Sequence, residues 1–456
     1  MTPRTETLLD LARKHIIPHK PGVIRAPIMA TGQGSIVGDT DGRSYIDFLS
    51  GQVCSTIGHS HPAVVEALRE SCERMLHCNA NMQSETGILL AAELAAIMPG
   101  RLSKSLFKSS GSEANEMAIH LAKKATGNWE VVSLAGAFHG MTSGPRASTF
   151  TSGTRGGYGP GVPGTFAFPV PDCYRSRHAT RKATDDGWVC EESVRECLAM
   201  GTALFDAQSQ GSPAAVLVEP ILSAGGVTEP PVSFLRGLKT FAEERGMLLI
   251  MDECQTGLGR AGSWLVSHDY GFVPDVITLS KTLGAGLPVS SVTTTPEIVD
   301  ILVEKRFMHS ASHVNDPFAG AVGLAVLRVL KEEGLIEQSR RKGEAIKAAL
   351  RRMAQRWEWI GDIRGRGLLL GMELVRDRDS KEPADAECRR FHDLCLESGL
   401  ILNICGAYNN VIRMMPPITI SDSEIDAALA IMDSAFRRMA EDAAAPAPRA
   451  ASLAAH

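Results

Sequence analysis

The segment GMLLIMDECQTGLGR, residues 246–260, points most directly to the architecture of this 456-residue chain. It opens with an apolar run of the length of a buried strand, and Asp252 stands directly after that run. Open α/β sheets place their ligand-binding groups at the carboxyl ends of strands. We therefore predict that Asp252 belongs to a binding site, although the same carboxylate could simply cap the following turn.

Further apolar runs repeat this pattern along the chain, and helical stretches separate them: VVSLA (131–135), AAVLVEP (214–220) and VITLS (276–280). Runs of roughly 4–8 apolar residues predict buried strands, and their alternation with helices predicts an α/β fold with a mainly parallel sheet. Near the N-terminus, IVGDTDGRSYIDFLSG (36–51) alternates apolar and polar residues around glycine turns, which predicts a hairpin.

These patterns predict a domain organisation with four parts. Residues 1–60 form an N-terminal segment that packs with a small domain, 61–318 form a large domain, 319–442 form the small C-terminal α/β domain, and 443–456 form a disordered tail. Within the large domain, 151–190 is rich in Gly, Pro, Ser and Arg, which predicts long loops. A single long helical segment is predicted from Pro317 to Trp357.

Composition favours an ordinary globular protein. Apolar residues make up 44% and charged residues 22%, and the net charge of −5 gives no reason to expect a nucleic-acid or membrane partner. The N-terminus has no pattern of a signal peptide or spanning helix. The ten cysteines include no CxxC pair, so we expect buried thiols, which suit a reducing cytoplasm.

A second segment suited to ligand binding is SSGSEAN, residues 109–115, which precedes the helical run EMAIHLAKKA. A small, hydroxyl-rich turn at the start of a helix offers free backbone N–H groups and the positive end of the helix dipole. This segment therefore suits a phosphate group. Taken alone, the segment fits an ordinary serine N-cap better.

The third segment is ITLSKTLGAGLP, residues 277–288, in which Lys281 follows an apolar strand and enters a glycine-rich loop. A partly buried lysine can act as an amine nucleophile. The alternative is a lysine whose stem packs at the sheet edge while its ammonium reaches solvent.

Together these segments supply a phosphate cradle, an acidic group for a ring nitrogen and a carbonyl-reactive amine. SGSEAN, DECQTGLGR and LSKTLGAGLP, in this order, resemble the class III aminotransferases over about 400 residues. The resemblance implies the aspartate aminotransferase-like fold (fold type I), pyridoxal 5'-phosphate as cofactor, and Lys281 as its Schiff-base lysine. It also implies amino transfer between an amine or amino acid and a keto acid, at the interface of a homodimer or dimer of dimers.

The resemblance assigns roles to individual residues. Asp252 would pair with the pyridine nitrogen, Gln255 with the ring hydroxyl, and Phe138 and Cys254 would lie on opposite faces of the ring. Ser312 would reach the phosphate of the neighbouring subunit. The implied cofactor-binding set is Ser110, Gly111, Ser112, Phe138, His139, Asp252, Cys254, Gln255, Lys281 and Ser312, with no separate catalytic role for His139. The implied substrate-binding set is Gln52, Met141 and Arg413, with Arg413 as a carboxylate fork.

Within the family, the chain most resembles the 2,2-dialkylglycine decarboxylases. The segments that carry this likeness are 50–52, 219–223, 280–288, 313–317 and 364–371. Gln52 would contact the carboxylate that leaves as carbon dioxide, which makes it a candidate catalytic residue beside Lys281 and Asp252.

The chain departs from those enzymes at Phe138, Cys54 and Ala224, where they have Trp, Ser and Ser. Loss of two hydroxyl donors can alter substrate choice. An ammonia-lyase acting on phosphorylated amines or amino-hydroxy phosphonates, or an amino-acid racemase, is therefore kept as an alternative. A dinucleotide-binding protein is set aside, because GRGLLLG (365–371) has the wrong glycine spacing.

The resemblance also implies an alkali-metal site for potassium or sodium. Ser312, Val314 and Asp316 retain part of it, whereas Ala80 stands where a serine coordinates and Met98 stands where a threonine coordinates at a second site. We therefore expect weakened potassium binding.

Overall fold

The computed structural model describes residues 1–151, 153–181 and 188–444. Its strands, in chain order, are β1 (Met29–Gln33), β2 (Ile36–Asp39), β3 (Ser44–Asp47), β4 (Lys104–Lys108), β5 (Glu130–Leu134), β6 (Thr165–Phe168), β7 (Thr180–Arg181), β8 (Trp188–Val189), β9 (Pro213–Val218), β10 (Leu248–Asp252), β11 (Val276–Leu279), β12 (Ser290–Thr294), β13 (Ile360–Arg366), β14 (Leu369–Asp377), β15 (Glu382–Pro383), β16 (Leu400–Ile401), β17 (Asn403–Cys405) and β18 (Val411–Met414).

The helices are α1 (Pro3–His15), α2 (Ser50–Val53), α3 (Pro62–Arg74), α4 (Glu85–Ile97), α5 (Gly111–Thr126), α6 (Ser143–Ala147), α7 (Glu191–Gln208), α8 (Val232–Glu244), α9 (Pro296–Glu304), α10 (Pro317–Glu332), α11 (Leu335–Ala354), α12 (Asp385–Glu397) and α13 (Asp422–Ala444). Two short 3₁₀ helices span Val266–Asp269 and Lys281–Gly284. No described helix is long and apolar enough to cross a membrane.

A seven-stranded sheet in the order β4-β12-β11-β10-β9-β5-β6 forms the centre of the molecule. β12 runs antiparallel to both its neighbours, and the other strand pairs are parallel. β10 and β11 are aliphatic and almost wholly buried, because helices cover both faces of the sheet. Burying one Leu or Ile side chain contributes about 1.5–3 kcal/mol. The predicted mainly parallel α/β sheet is confirmed.

Two predictions of local structure were wrong. The segment 151–190 contains β6, which joins the edge of the central sheet beside β5; its four residues are too few to show a strand period. The helical segment from Pro317 to Trp357 is two helices, because Gly334 lies between them with a φ of +60°. Residue 152, residues 182–187 and most of the predicted tail lie outside the described residues.

The C-terminal strands form a separate sheet, β13-β14-β18-β17, with β15 paired to β14. The predicted hairpin of β2 and β3 is confirmed, and β16 extends it by pairing with β3 in parallel. Arg260 joins these regions, since its fully buried guanidinium donates to the carbonyls of Leu368 and Pro416 and to the hydroxyls of Ser50 and Thr56. The boundaries at residues 60, 318 and 442 stay a prediction.

The expectation of free thiols was wrong for one pair. Cys173 and Cys190 form a disulfide across 17 residues, joining the ends of the β7–β8 segment. Spacing along the chain could not reveal this pair, because their approach depends on the path of the intervening loop. The other eight cysteines are free.

Candidate active site

Two buried carboxyl groups and a half-buried lysine lie where parallel strands end. Glu219 follows β9, Asp252 is the last residue of β10, and Lys281 stands two residues beyond β11. β9, β10 and β11 are neighbours in the sheet, so their carboxyl ends form one edge. The sheet therefore gathers groups that are far apart in the sequence, as expected for a ligand site at this edge.

Asp252 is 5% exposed and is held by three donors. Its Oδ2 accepts from Asn115 Nδ2 at 2.7 Å and contacts His139 Nδ1 at 2.8 Å, and its Oδ1 accepts from the Cys254 amide at 3.1 Å. Burial by itself raises the pKa of Asp252, but His139, with Lys281, outweighs burial and lowers the pKa below its ordinary value. The carboxylate is therefore kept ionised inside the protein.

His139 has a role that the sequence did not indicate. The Ser133 hydroxyl donates its one proton to the Ser148 carbonyl at 2.8 Å, so the 3.0 Å contact between His139 Nε2 and Ser133 Oγ has the imidazole as donor. Nδ1 also donates, because it faces the Asp252 carboxylate. The imidazole therefore contacts the Asp252 carboxylate directly and is held on its other side by Ser133.

The start of α5 carries the predicted phosphate cradle. Ser110 is its N-cap and exchanges hydrogen bonds with Glu113 through its hydroxyl. Ser112 Oγ accepts from the amides of Met141 and Thr142, each at 2.9 Å. A Cβ at Gly111 would lie 3.1 Å from Cys254 Sγ, so a larger residue would require the neighbouring side chains to shift. First-turn amides have no acceptor inside a helix, and they are the groups that suit an anion.

Lys281 opens a 3₁₀ turn and has a φ of +47°, which is unfavourable for a residue with a side chain. It is half-buried near Asp252, Cys254 and Cys54. Burial raises the pKa of both thiols, and the Lys281 ammonium offsets only part of that rise. Both thiols therefore stay protonated near the lysine.

Phe138 and Glu219 form one wall of the site. The Phe138 ring is 37% exposed, although the Phe138 amide is fixed by a 2.7 Å hydrogen bond to Glu219 Oε1. Glu219 Oε2 accepts from the Ser223 amide at 3.3 Å. Burial raises the pKa of Glu219 to about 7; His139 opposes the rise and Asp252 adds to it. Gln255 lies nearby, with Nε2 3.7 Å from Met415 Sδ.

Arg413 lies on β18 and is 6% exposed. Its Nη1 donates to Ser223 Oγ at 3.2 Å and its Nη2 to Asn403 Oδ1 at 3.0 Å. Its buried Nε has no acceptor among the described residues. Both partners are neutral, so the positive charge is not compensated by either of them and can pair with a carboxylate.

Gln52 and Met141 are exposed, in contrast to Asp252 and Arg413. Gln52 stands in the distorted turn α2, where Ser50, Gly51 and Val53 have positive φ angles. Met141 is 49% exposed beyond the start of α5. The structure thus places these two predicted substrate-binding residues outside the buried part of the site.

The predicted metal ligands lie in the segment before α10. Ser312 is exposed, and Val314 and Asp316 are buried. The Asp316 carboxylate is engaged on both oxygens, by His77 Nδ1 at 2.6 Å and by His313 Nδ1 at 2.7 Å. These two histidines were not part of the predicted site.

Several supporting residues were not predicted. Asn115 binds Asp252 and the His139 carbonyl and accepts from Thr278. Glu219 could have been recognised, because like Asp252 it stands at the end of an apolar run. Nothing in the sequence marks Asn403, whose role comes from its cross-strand position opposite Arg413.

Comparisons with known proteins support the same family. The profile of the family described as Aminotransferase class-III matches residues 20–436. An uncharacterised aminotransferase of Schizosaccharomyces pombe is 37% identical over 96% of each chain. A 5-aminovalerate aminotransferase of Pseudomonas aeruginosa is 35% identical over 96% of this chain and 100% of its own. An alanine/serine racemase of Pyrococcus horikoshii is 32% identical over 95% of this chain and 91% of its own. A solved Bacillus anthracis aminotransferase superposes with a TM-score of 0.88 at 28% identity, covering 96% of this chain and 99% of its own.

Proposed function

This chain belongs to the class III aminotransferase family, and on that premise we propose that it is a pyridoxal-phosphate-dependent transaminase. It transfers an amino group from an amino acid to a keto acid such as pyruvate. The observation that carries the proposal is the placement of Lys281 and the ionised Asp252 at neighbouring strand ends, close to the start of α5.

The residues fit the cofactor. The first-turn amides of α5 would bind its phosphate, the Phe138 ring and Cys254 would lie on the two faces of its ring, and Gln255 would reach the ring hydroxyl. Asp252, ionised and in contact with His139 Nδ1, would keep the ring nitrogen protonated. When bound, pyridoxal phosphate supplies an electron-withdrawing ring that stabilises the electron pair freed at the substrate's α-carbon.

The chain's own groups perform the remaining work. Lys281 supplies the amine nucleophile. Its Nζ also accepts the proton that leaves the α-carbon of the amino acid and later donates that proton to a different atom. Arg413 holds the substrate carboxylate, and Ser223 and Asn403 fix the plane of its guanidinium. Orientation decides which bond at the α-carbon breaks, because only a bond aligned with the ring's π-system is weakened.

In its sharpest form, the proposal is decarboxylation of 2,2-dialkylglycines, with Gln52 holding the carboxylate that leaves. Gln52 lies in the turn α2, which Arg260 stabilises by donating a hydrogen bond to the Ser50 hydroxyl. The alternative is a lyase or racemase on the same scaffold, and the similarity to a racemase of Pyrococcus horikoshii supports keeping it.

The test is to mix the cofactor-loaded enzyme with 2-aminoisobutyrate, with and without pyruvate, and to follow the cofactor spectrum and carbon dioxide. Carbon dioxide release that continues only with pyruvate establishes a decarboxylating transaminase. If alanine or another amino acid changes the spectrum but no carbon dioxide forms, decarboxylation is wrong and amino transfer stands. Ammonia release or racemisation without any keto acid would contradict the transaminase itself.

We also propose a homodimer in which Ser312 completes the partner's phosphate site. The proposal is supported by the exposure of Ser312 on the segment before α10. Mixed dimers of Lys281→Ala and Ser312→Ala chains test it, because one of their two sites then has both residues intact. Recovery of tight cofactor binding at about half the sites is expected; no recovery would place Ser312 in its own subunit's site. Dimers of dimers would be distinguished by light scattering.

A potassium or sodium ion at Ser312, Val314 and Asp316 fits the side chains poorly. Ala80 offers no side-chain oxygen, and both oxygens of Asp316 are engaged by imidazole rings. No catalytic step is therefore assigned to an alkali ion.

A further inference from the structure

A cluster of two histidines and one aspartate contains none of the residues proposed to touch the cofactor, although His313 directly follows Ser312. His77, His313 and Asp316 each offer one ligand atom, and these atoms lie within 4.8 Å of one another. His77 belongs to the connection between α3 and α4, whereas His313 and Asp316 belong to the segment that enters α10. The cluster thus joins two segments separated by more than two hundred residues (239 between His77 and Asp316).

We propose that this cluster is a divalent transition-metal site of zinc type, which the alkali-metal expectation did not anticipate. Imidazole nitrogens are good ligands for zinc, nickel, cobalt and copper, whereas alkali and alkaline-earth ions prefer oxygen ligands. Two nitrogens and a carboxylate are three protein ligands, and water would complete a tetrahedral site.

Metal binding requires the two rings to move. His77 Nδ1 lies 2.6 Å from Asp316 Oδ1, and His313 Nδ1 lies 2.7 Å from Asp316 Oδ2. Tetrahedral ligands about 2.0 Å from a zinc ion are about 3.3 Å apart, so the rings must bring both nitrogens to that spacing from each other and from one carboxylate oxygen. Both imidazoles can do so because their side chains are 52% and 66% exposed, while Asp316 is 4% exposed and fixed. Each imidazole would coordinate through Nδ1 as the neutral ring, with its proton on Nε2.

The backbone on both sides is held independently of the histidines. Ser84 Oγ donates to the Asn315 carbonyl at 2.8 Å, and Thr86 Oγ1 donates to the Pro317 carbonyl at 2.6 Å. Asn315 Nδ2 donates to Gln83 Oε1 at 3.2 Å. Asp316 is the N-cap of α10, yet its side chain makes no capping hydrogen bond there. The carboxylate is thus directed to the two rings, and an ion would bind a site whose segments are already in place.

Metal titration of the holoenzyme tests the proposal directly. The protein is purified without a polyhistidine tag, treated with a chelator, and titrated with Zn²⁺ by calorimetry and with Co²⁺ by visible absorption. One ion per subunit is expected, with the intense cobalt bands of a four-coordinate site and a rise in the unfolding midpoint. Absence of binding, or displacement of cobalt by equimolar potassium, would overturn the proposal.

The variants His77→Gln and His313→Gln each remove one ligand from a different segment, and each should weaken zinc binding at least tenfold. His392→Gln is the matched control, because His392 also contacts an aspartate, Asp393, at 3.0 Å but belongs to no such cluster among the described residues. Unchanged affinity in both ligand variants would refute the site. If one variant misfolds by circular dichroism, the other still decides, because the two segments differ.

Discussion

The floor of the candidate site and its rim are built in opposite ways. In the floor, Asp252 and His139 are 5% and 2% exposed, and their polar atoms are bound within the same chain. At the rim, Met141 is 49% exposed, and Gln52 and Ser312 are exposed as well. The difference indicates that the sheet fixes the groups proposed to hold the cofactor, whereas two of the three residues proposed to choose the substrate, Gln52 and Met141, lie on the exposed surface.

The largest effect is expected from removing the floor's nucleophile. Lys281→Ala should abolish turnover, because it removes the amine nucleophile, while the protein still folds and binds the cofactor non-covalently. Turnover with alanine and pyruvate measures this, and borohydride should fix the cofactor covalently to the wild type only. Lys305→Ala, an exposed lysine that donates to the Ala125 carbonyl, is the control. Wild-type turnover in Lys281→Ala would refute the assignment.

Asp252→Asn should reduce kcat by about 10²–10³-fold, the usual effect of removing a preorganised charge. Asn has one acceptor oxygen in place of two. It therefore cannot accept from Asn115 and His139 on one side and from the Cys254 amide on the other. His139→Asn should change kcat in the same direction by less. Asp275→Asn is the matched control, since Asp275 accepts from the Leu249 amide at the opposite end of β10. Equal losses at Asp252 and Asp275 would mean that the effect is structural.

Arg413→Gln tests whether the buried guanidinium on β18 recognises the charge of the substrate carboxylate. The value of kcat/KM for alanine should fall about 100-fold, equivalent to about 3 kcal/mol for losing one partner of a buried charge pair. An amine without a carboxylate, such as 1-phenylethylamine, should lose little. Steady-state kinetics with both substrates separates recognition from damage, because a general defect would lower both values equally.

The smallest effect concerns the pH dependence of stability. Burial raises the pKa of Glu219 to about 7, so the folded state holds this proton more tightly than the unfolded chain, where the pKa is about 4.3. The resulting stabilisation is present in acid and is lost as pH rises through about 7. Relative to Glu219→Gln, the wild type should lose up to about 3 kcal/mol of unfolding free energy between about pH 4.5 and about pH 8.

Denaturant unfolding of the holoenzyme at several pH values measures this difference. Glu66→Gln, on the exposed surface of α3, is the control: the hydrogen bond from Arg69 lowers the pKa of Glu66, so its removal should leave the pH dependence between about pH 4.5 and about pH 8 unchanged. A constant difference between wild type and Glu219→Gln over this range would show that Glu219 does not titrate there. In that case Glu219 would act only as an acceptor for the amides of Phe138 and Ser223.

The sequence predicted Asp252 and Lys281 but not the residues that hold Asp252 in place. Asp252 and Lys281 could be found because each stands next to an apolar run, and burial of such a run places its end at the sheet edge. The role of His139 could not be found, because it depends on contacts with Asp252, 113 residues away, and with Ser133, whose proton is already committed. The edge strand β6 was missed because four residues show no clear period.

By itself the sequence determined the mainly parallel sheet, the helix that begins at the phosphate cradle, and the two residues that carry the proposed chemistry. These features follow from local patterns of burial, capping and motif order, which a linear chain displays directly. Only the tertiary structure decided the Asp252–His139 pair, the Cys173–Cys190 disulfide and the His77–His313–Asp316 cluster. Each depends on which segments the fold brings side by side, and no local pattern of residues contains that information.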